Sequence, residues 1–275
     1  MNHDVEYTMG RSEAETKRLI RNARLYDEMT RRFLLRSGIK KGMRVLDVGS
    51  GAGDVAFSLA ELVGPDGYVI GVDVNAEILA TARERASAAG FTNVQFVEGD
   101  ARSLELPDAF DAVVGRLVLM YIAKPADALK QLAGRLRPGG IVAFQEVDLA
   151  LHKALAGPET PLLGKLIDWE CAVFERTGAH ADMGTGLYRA FLEAGLPEPA
   201  LHLETPMGGA TEWPGYEQRA ATFRNLLPLI ETHGIATAEE LDVETLAERL
   251  RAEAVDAKRP VSLPPHVMAH TVIGP

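Results

Sequence analysis

A chain of 275 residues, 47% apolar and 25% charged, is long enough for one large domain, or a domain with a cap, around a full core. Its net charge of −10, from 39 acids against 29 bases, argues against nonspecific binding to nucleic acid or an anionic membrane surface. The single Cys171 excludes an intramolecular disulfide and suits a reducing cytoplasm; with no apolar leader and no 18-residue apolar run, neither secretion nor a membrane span is expected.

Residues 1–11, with Tyr7 among them, read as an unstructured lead. Ser12 and Glu15 form a capping box, and Leu19, Ala23, Tyr26, Thr30 and Phe33 recur on one face, which predicts one long helix or two short ones over 13–36. The basic residues of this stretch are partly balanced by its acids, so they read as a solvated face. Val45-Leu46-Asp47-Val48 then reads as a buried strand running into a turn with glycines at 49, 51 and 53, and a helix opens directly behind it. In open α/β sheets ligands sit at this point, beyond the carboxyl ends of the strands.

Tyr68–Asp73 is a second strand ending in an acid, 20 residues after Gly53, a spacing suited to a carboxylate gripping ribose hydroxyls. Asn75 caps the next helix and Gly90 stops it. Val94–Glu98 is a third strand, leading into Gly99-Asp100-Ala101. Phe110–Val114 is a fourth, followed by Arg116 in an apolar run. Pro125 opens a helix over 126–136, Leu136–Gly140 is a helix end and a Pro-Gly-Gly turn, and Ile141–Val147 is strand five, with Glu146 and Asp148 at its end. The alternation predicts a mostly parallel, doubly wound sheet with right-handed crossovers.

Helical spacing over 149–183 precedes a large helix at 184–195, a sixth strand at 200–205 and a seventh at 266–273. Between the last two lie two helical patterns, the second capped by Thr237-Ala238-Glu239-Glu240 with Val243, Leu246, Leu250 and Ala254 in one stripe. An insertion that long is too large for a turn and is expected to be a helical lid. The expected organisation is an N-terminal lid helix at 1–36, a core at 37–210 with 149–183 partly lid, a lid insertion at 211–260 and a final core strand at 261–275.

Over roughly residues 43–148 the chain resembles the class I S-adenosylmethionine-dependent methyltransferases. The resemblance rests on D-x-G-x-G-x-G at Asp47–Gly53, on Asp73, on Gly99-Asp100-Ala101 and on Leu-Arg-Pro-Gly-Gly at 136–140, in that family's order. It implies a Rossmann-like, doubly wound, seven-stranded, mostly parallel sheet with a helical lid, and S-adenosyl-L-methionine as cofactor. Asp47, Gly49, Gly51 and Gly53 would then lie against the methionine and ribose. Asp73, with Val74 beside it, would hold the ribose hydroxyls, Asp100 and Ala101 would meet the adenine, and Arg116 would line the site. Tyr7 would face the transferring methyl, and Arg11 or Arg18 the methionine carboxylate. Carboxylates at three successive strand ends would also repel a pyrophosphate and suit a cationic cofactor. A nicotinamide oxidoreductase is disfavoured further by the absence of Tyr-x-x-x-Lys.

Methyl transfer from a sulfonium is an in-line displacement, in which alignment can supply about 7–11 kcal/mol of the barrier. A general base is needed only for a protonated hydroxyl or an acidic carbon. His152, which follows strand five, and Asp148, at its end, are the first candidates to act on the acceptor, with Glu146, His180, His202 and His233 behind them. No zinc pattern exists, and Leu149 after Asp148 disfavours a magnesium site, so no metal is expected. A missing Asn/Asp-Pro-Pro-Tyr/Phe disfavours methylation of adenine or glutamine amino groups. The expected activity is methyl transfer to a small, apolar metabolite at oxygen or carbon. A protein or peptide methyltransferase, and a regulatory protein that binds S-adenosylmethionine without turnover, are the alternatives.

Overall fold

The computed structural model describes residues 26–105 and 109–274. Seven strands form one sheet: β1 (Arg44–Val48), β2 (Tyr68–Asp73), β3 (Val94–Glu98), β4 (Phe110–Arg116), β5 (Leu136–Val147), β6 (Ala200–Glu204) and β9 (His266–Val272). Their order is β3-β2-β1-β4-β5-β9-β6, parallel throughout except that β9 runs antiparallel to both its neighbours. This is the doubly wound, mostly parallel sheet that the alternation predicts. The chain reverses direction across the sheet between β1 and β4, the switch point at which open α/β sheets bind ligands.

Alternation along the buried strands sorts side chains onto two faces. Val45, Val114, Ala143 and Met268 pack with α1 (residues 26–36), α2 (Asp54–Val63) and α3 (Ala76–Ala89). Leu46, Val113, Phe144 and Val267 pack on the other face with α4 (Pro125–Ala133), α5 (Leu149–Leu155) and α7 (Met183–Glu193). β5 starts earlier than the sequence suggests: Leu136 already pairs with Phe110, and the register shifts before Ala112 meets Ile141. The Pro-Gly-Gly turn is therefore an irregularity inside a strand rather than a connection before one.

A third apolar cluster joins α6 (Pro161–Thr177) to α8 (Gly215–Thr232), α9 (Ala238–Leu241) and α10 (Leu246–Ala257). The ends of this helical insert are tied by the short antiparallel pair β7 (Met207–Gly208) and β8 (Val261–Ser262). Thr237 makes the expected capping box with Glu240, but the helix it opens is only one turn long. Asp242 adopts a left-handed backbone at φ 44 and stops it, so the Leu246–Ala254 stripe belongs to a separate helix. The capping box at Ser12 lies outside the described residues. No helix among the described residues is long and apolar enough to cross a membrane.

Candidate functional site

The glycine-rich turn lies at the carboxyl end of β1, pinned to β2 by the Gly49 and Ser50 amides, which both donate to the Val72 carbonyl. Gly49 has φ +67, and a Cβ there would lie 2.8 Å from Val118, so both backbone conformation and the close approach of the neighbouring loop require glycine. At Gly51 a Cβ would meet open space, which is the side a ligand can approach. Gly53 caps α2 without a side-chain hydrogen bond, and the Ala56 amide in the helix's first turn is taken by Asp47.

Asp73 organises this corner. Its Oδ2 accepts from the Gly51 amide at 2.9 Å and its Oδ1 from the Asn75 amide at 2.9 Å, so one carboxylate ties the glycine turn to the start of α3. Val74 beside it is 64% exposed. Asp100 is engaged by its neighbour: the Arg102 Nε donates to both its oxygens, at 2.8 and 3.0 Å, and NH2 adds a third contact. Burial pushes the Asp100 pKa up, but the Arg102 guanidinium and amide outweigh it and hold the carboxyl below its ordinary value. Ala101 is buried.

Asp47, Arg116, Gln145 and His266 share the parity of Val45, Val114, Ala143 and Met268, so they stand on one face of the sheet. All four lie at the carboxyl edge of adjacent strands, because β9 is antiparallel and His266 is its first residue, paired with Val147. α1 covers them. The Arg116 guanidinium donates to Thr30 Oγ1 at 3.1 Å and lies 3.9 Å from Asp27. Thr30 donates to Gln145 Oε1 at 3.0 Å, and Gln145 Nε2 lies 3.0 Å from His266 Nδ1. The Tyr26 ring sits 4.5 Å from that of His266. Burial pushes the His266 pKa down to about 3, with Arg116 adding to the effect, so its imidazole is neutral.

Asp47 is 1% exposed, and its Oδ2 has no partner. Burial raises its pKa to about 8; Arg116 opposes the shift, Asp73 and Asp54 add to it, and the Ala56 amide opposes it. The folded protein therefore holds a proton that the unfolded chain releases near pH 4, and this contribution to stability is lost as pH rises through about 8. Asp47→Asn removes the titration. Its melting temperature relative to the unchanged protein should rise between pH 5 and pH 8 in thermal unfolding; a difference that stays flat with pH would contradict a buried, protonated Asp47.

The residues expected to act on the acceptor are placed differently. Asp148 is fully buried and caps α5, accepting from the Leu151 amide at 2.8 Å and from the Thr185 amide and hydroxyl at 2.8 and 2.7 Å. A strand-end carboxylate surrounded by helix amides serves the backbone. His152 is also fully buried, with Nε2 3.0 Å from the Ser262 carbonyl, and burial with Arg219 nearby pushes its pKa down to about 3. Glu146 points to the opposite face and accepts from the Val118 and Leu119 amides at 3.0 and 2.8 Å; burial raises its pKa to about 8. His180 bonds the Ile122 carbonyl, His202 stands beside Glu204 on the last strand of the sheet, and His233 ends α8. Tyr7, Arg11 and Arg18 lie outside the described residues. Sequence reasoning did not single out Thr30, Gln145 and His266 as a group, although the structure brings them together beside Arg116; the available signal was a glutamine and a histidine near the carboxyl edge of largely apolar strands. Among the described residues no His, Cys, Asp and Glu group could hold a metal.

Residues 39–195 match the family described as a methyltransferase domain. A ubiquinone/menaquinone biosynthesis C-methyltransferase of Pseudomonas fluorescens is 33% identical over 179 residues, covering 60% of this chain and 70% of that protein. Its counterpart in Pseudomonas savastanoi is 36% identical over 140 residues, covering 48% and 55%. Among solved structures, the YcgJ protein from Bacillus subtilis superposes with a TM-score of 0.57 at 19% identity, covering 90% of this chain and 98% of that one. The [4+2]-cyclase SpnF does so at 0.51 and 22% identity, covering 90% and 81%, so the fold is shared by an enzyme named for other chemistry. The glycine turn with an open face and the Asp73 and Asp100 carboxylates at its rim fit a cationic cofactor, and the buried Asp47 oxygen has no partner within the protein. The chain belongs to the methyltransferase domain family, as a class I S-adenosylmethionine-dependent methyltransferase acting on a small molecule.

Proposed function

We propose that the protein methylates a carbon atom of a small, largely apolar acceptor of the quinone-precursor type. The relatives named as C-methyltransferases of ubiquinone and menaquinone biosynthesis suggest the atom and the class. The observation that carries the reading is the row Asp47, Arg116, Gln145 and His266 at the strand ends, a polar floor beneath α1 beside the glycine turn. Held at the glycine turn, S-adenosylmethionine would supply an activated methyl to the acceptor carbon, its sulfur keeping the electron pair of the bond that breaks. The proton displaced from the ring carbon would be lost to solvent when the methylated product leaves.

In this reading Asp47, Gly49, Gly51 and Gly53 face the methionine and ribose, and Asp73 takes the ribose hydroxyls as further partners. Asp100, Ala101 and Val74 border the adenine, with Asp100 kept ionised by Arg102. Arg116 lines the acceptor side. Asp148 and His152 take no part in the transfer, because both are committed to backbone groups. The helical insert and α1 act as a lid that excludes water, and the protein works in the cytoplasm. Incubation with carbon-13-methyl S-adenosylmethionine and a reduced 1,4-naphthoquinone should give a methyl resonance bonded to ring carbon. A methoxyl resonance, or no transfer, would refute carbon methylation of this class.

A further inference from the structure

The chain that starts at Arg116 has a direction. A guanidinium can only donate, so Thr30 Oγ1 accepts from it and passes its own proton to Gln145 Oε1. The Gln145 amide nitrogen is then the donor to His266 Nδ1. A neutral imidazole that accepts at Nδ1 carries its proton on Nε2. His266 is 1% exposed, so an imidazole held in one tautomer by a chain anchored on an arginine is a fixed donor in a water-poor place. The chain crosses four separate parts of the protein, β4, α1, β5 and β9, with sequence separations of 86, 115 and 121 residues. Packing alone is achieved more simply by apolar residues of the same volume, as in Ala143 and Met268 one row below. Asp47, on the same floor, supplies an independent sign of a missing partner: its Oδ2 is buried and unpaired.

We infer that His266 binds the acceptor, donating from Nε2–H to an acceptor oxygen, while Gln145 and Thr30 are positioning residues that fix its tautomer. This rests on the methyltransferase reading of the same site. A hydrogen bond to the oxygen of a hydroxylated ring orients the ring over the strand ends and leaves a ring carbon as the attacking atom. Alignment of this kind is where such a transfer gains most.

The test has two readouts on the full-length protein. In nitrogen-15 histidine spectra, His266 should be neutral with the proton on Nε2 at pH 6, and Gln145→Leu should release it into a mixture of tautomers. A single Nδ1–H tautomer, or no change in Gln145→Leu, would overturn the inference without reference to any acceptor. In transfer assays with a reduced 1,4-naphthoquinone, His266→Phe should lower kcat/KM for the acceptor by about tenfold or more, the loss of one hydrogen bond. S-adenosylhomocysteine affinity, read by calorimetry, should stay within about twofold. Equal losses in both would mark His266 as structural, and His266→Gln should recover part of the activity. If the unchanged protein transfers no methyl to this acceptor while its His266 spectrum is as expected, the acceptor reading fails, and the acceptor-binding role of His266 falls with it.

Discussion

Asp73→Ala should weaken S-adenosylhomocysteine binding by about 1.5–3 kcal/mol, or roughly 10- to 150-fold in Kd, measured by calorimetry. Two losses add in this variant. The ribose hydroxyls lose charge-assisted acceptors, and the Gly51 and Asn75 amides lose the carboxylate that sets the turn before any ligand arrives. Asp73→Asn keeps acceptor capacity without the charge and should fall between the two. The side chain is half-buried at a strand end, away from the apolar core, so the fold should survive both changes. Unchanged affinity in Asp73→Ala would mean that the ribose sits elsewhere.

Arg219→Met should destabilise the protein by about 3–5 kcal/mol in urea unfolding, the largest stability effect expected here. Arg219 is 1% exposed, donates to Glu170 at 2.8 Å and lies over the Phe223 ring. The pair joins α6 to α8, so truncating one partner leaves a bare carboxylate inside the apolar cluster of the helical insert. Replacing both, as Glu170→Met with Arg219→Met, should recover most of the loss, because two apolar side chains remove the desolvation penalty along with the attraction. A loss below about 1 kcal/mol in the single variant would mean that water reaches Glu170, which is the range of exposed pairs.

The glycine turn was legible because backbone geometry writes itself into sequence. Gly49 cannot carry a Cβ, and Asp73 must end its strand, so residue type and spacing alone locate the turn. The sheet was legible for the same reason: buried parallel strands are short apolar runs, and their separation by helices leaves few topologies. The polar row beneath α1 was not. Gln145 and His266 meet across 121 residues, and nothing local to either says so. Asp148 misleads because a helix N-cap and a site carboxylate occupy the same kind of position, and only the Leu151 and Thr185 amides tell them apart. His152 misleads similarly, lying close in sequence to the strand end but turned into the junction with β8. In the insert, the periodicity of 246–254 is helical, yet a break at residues 242–245, opened by the left-handed Asp242, separates it from its apparent cap.

The most direct measurement is a calorimetric titration of one preparation with S-adenosylmethionine, S-adenosylhomocysteine and NAD. The Asp73 carboxylate at the end of β2, tied to a glycine turn with an open side, predicts saturable binding of the first two and none of the third. Binding of NAD, or of none of the three, would contradict the assignment of that turn to an adenosyl cofactor bearing a cationic sulfur.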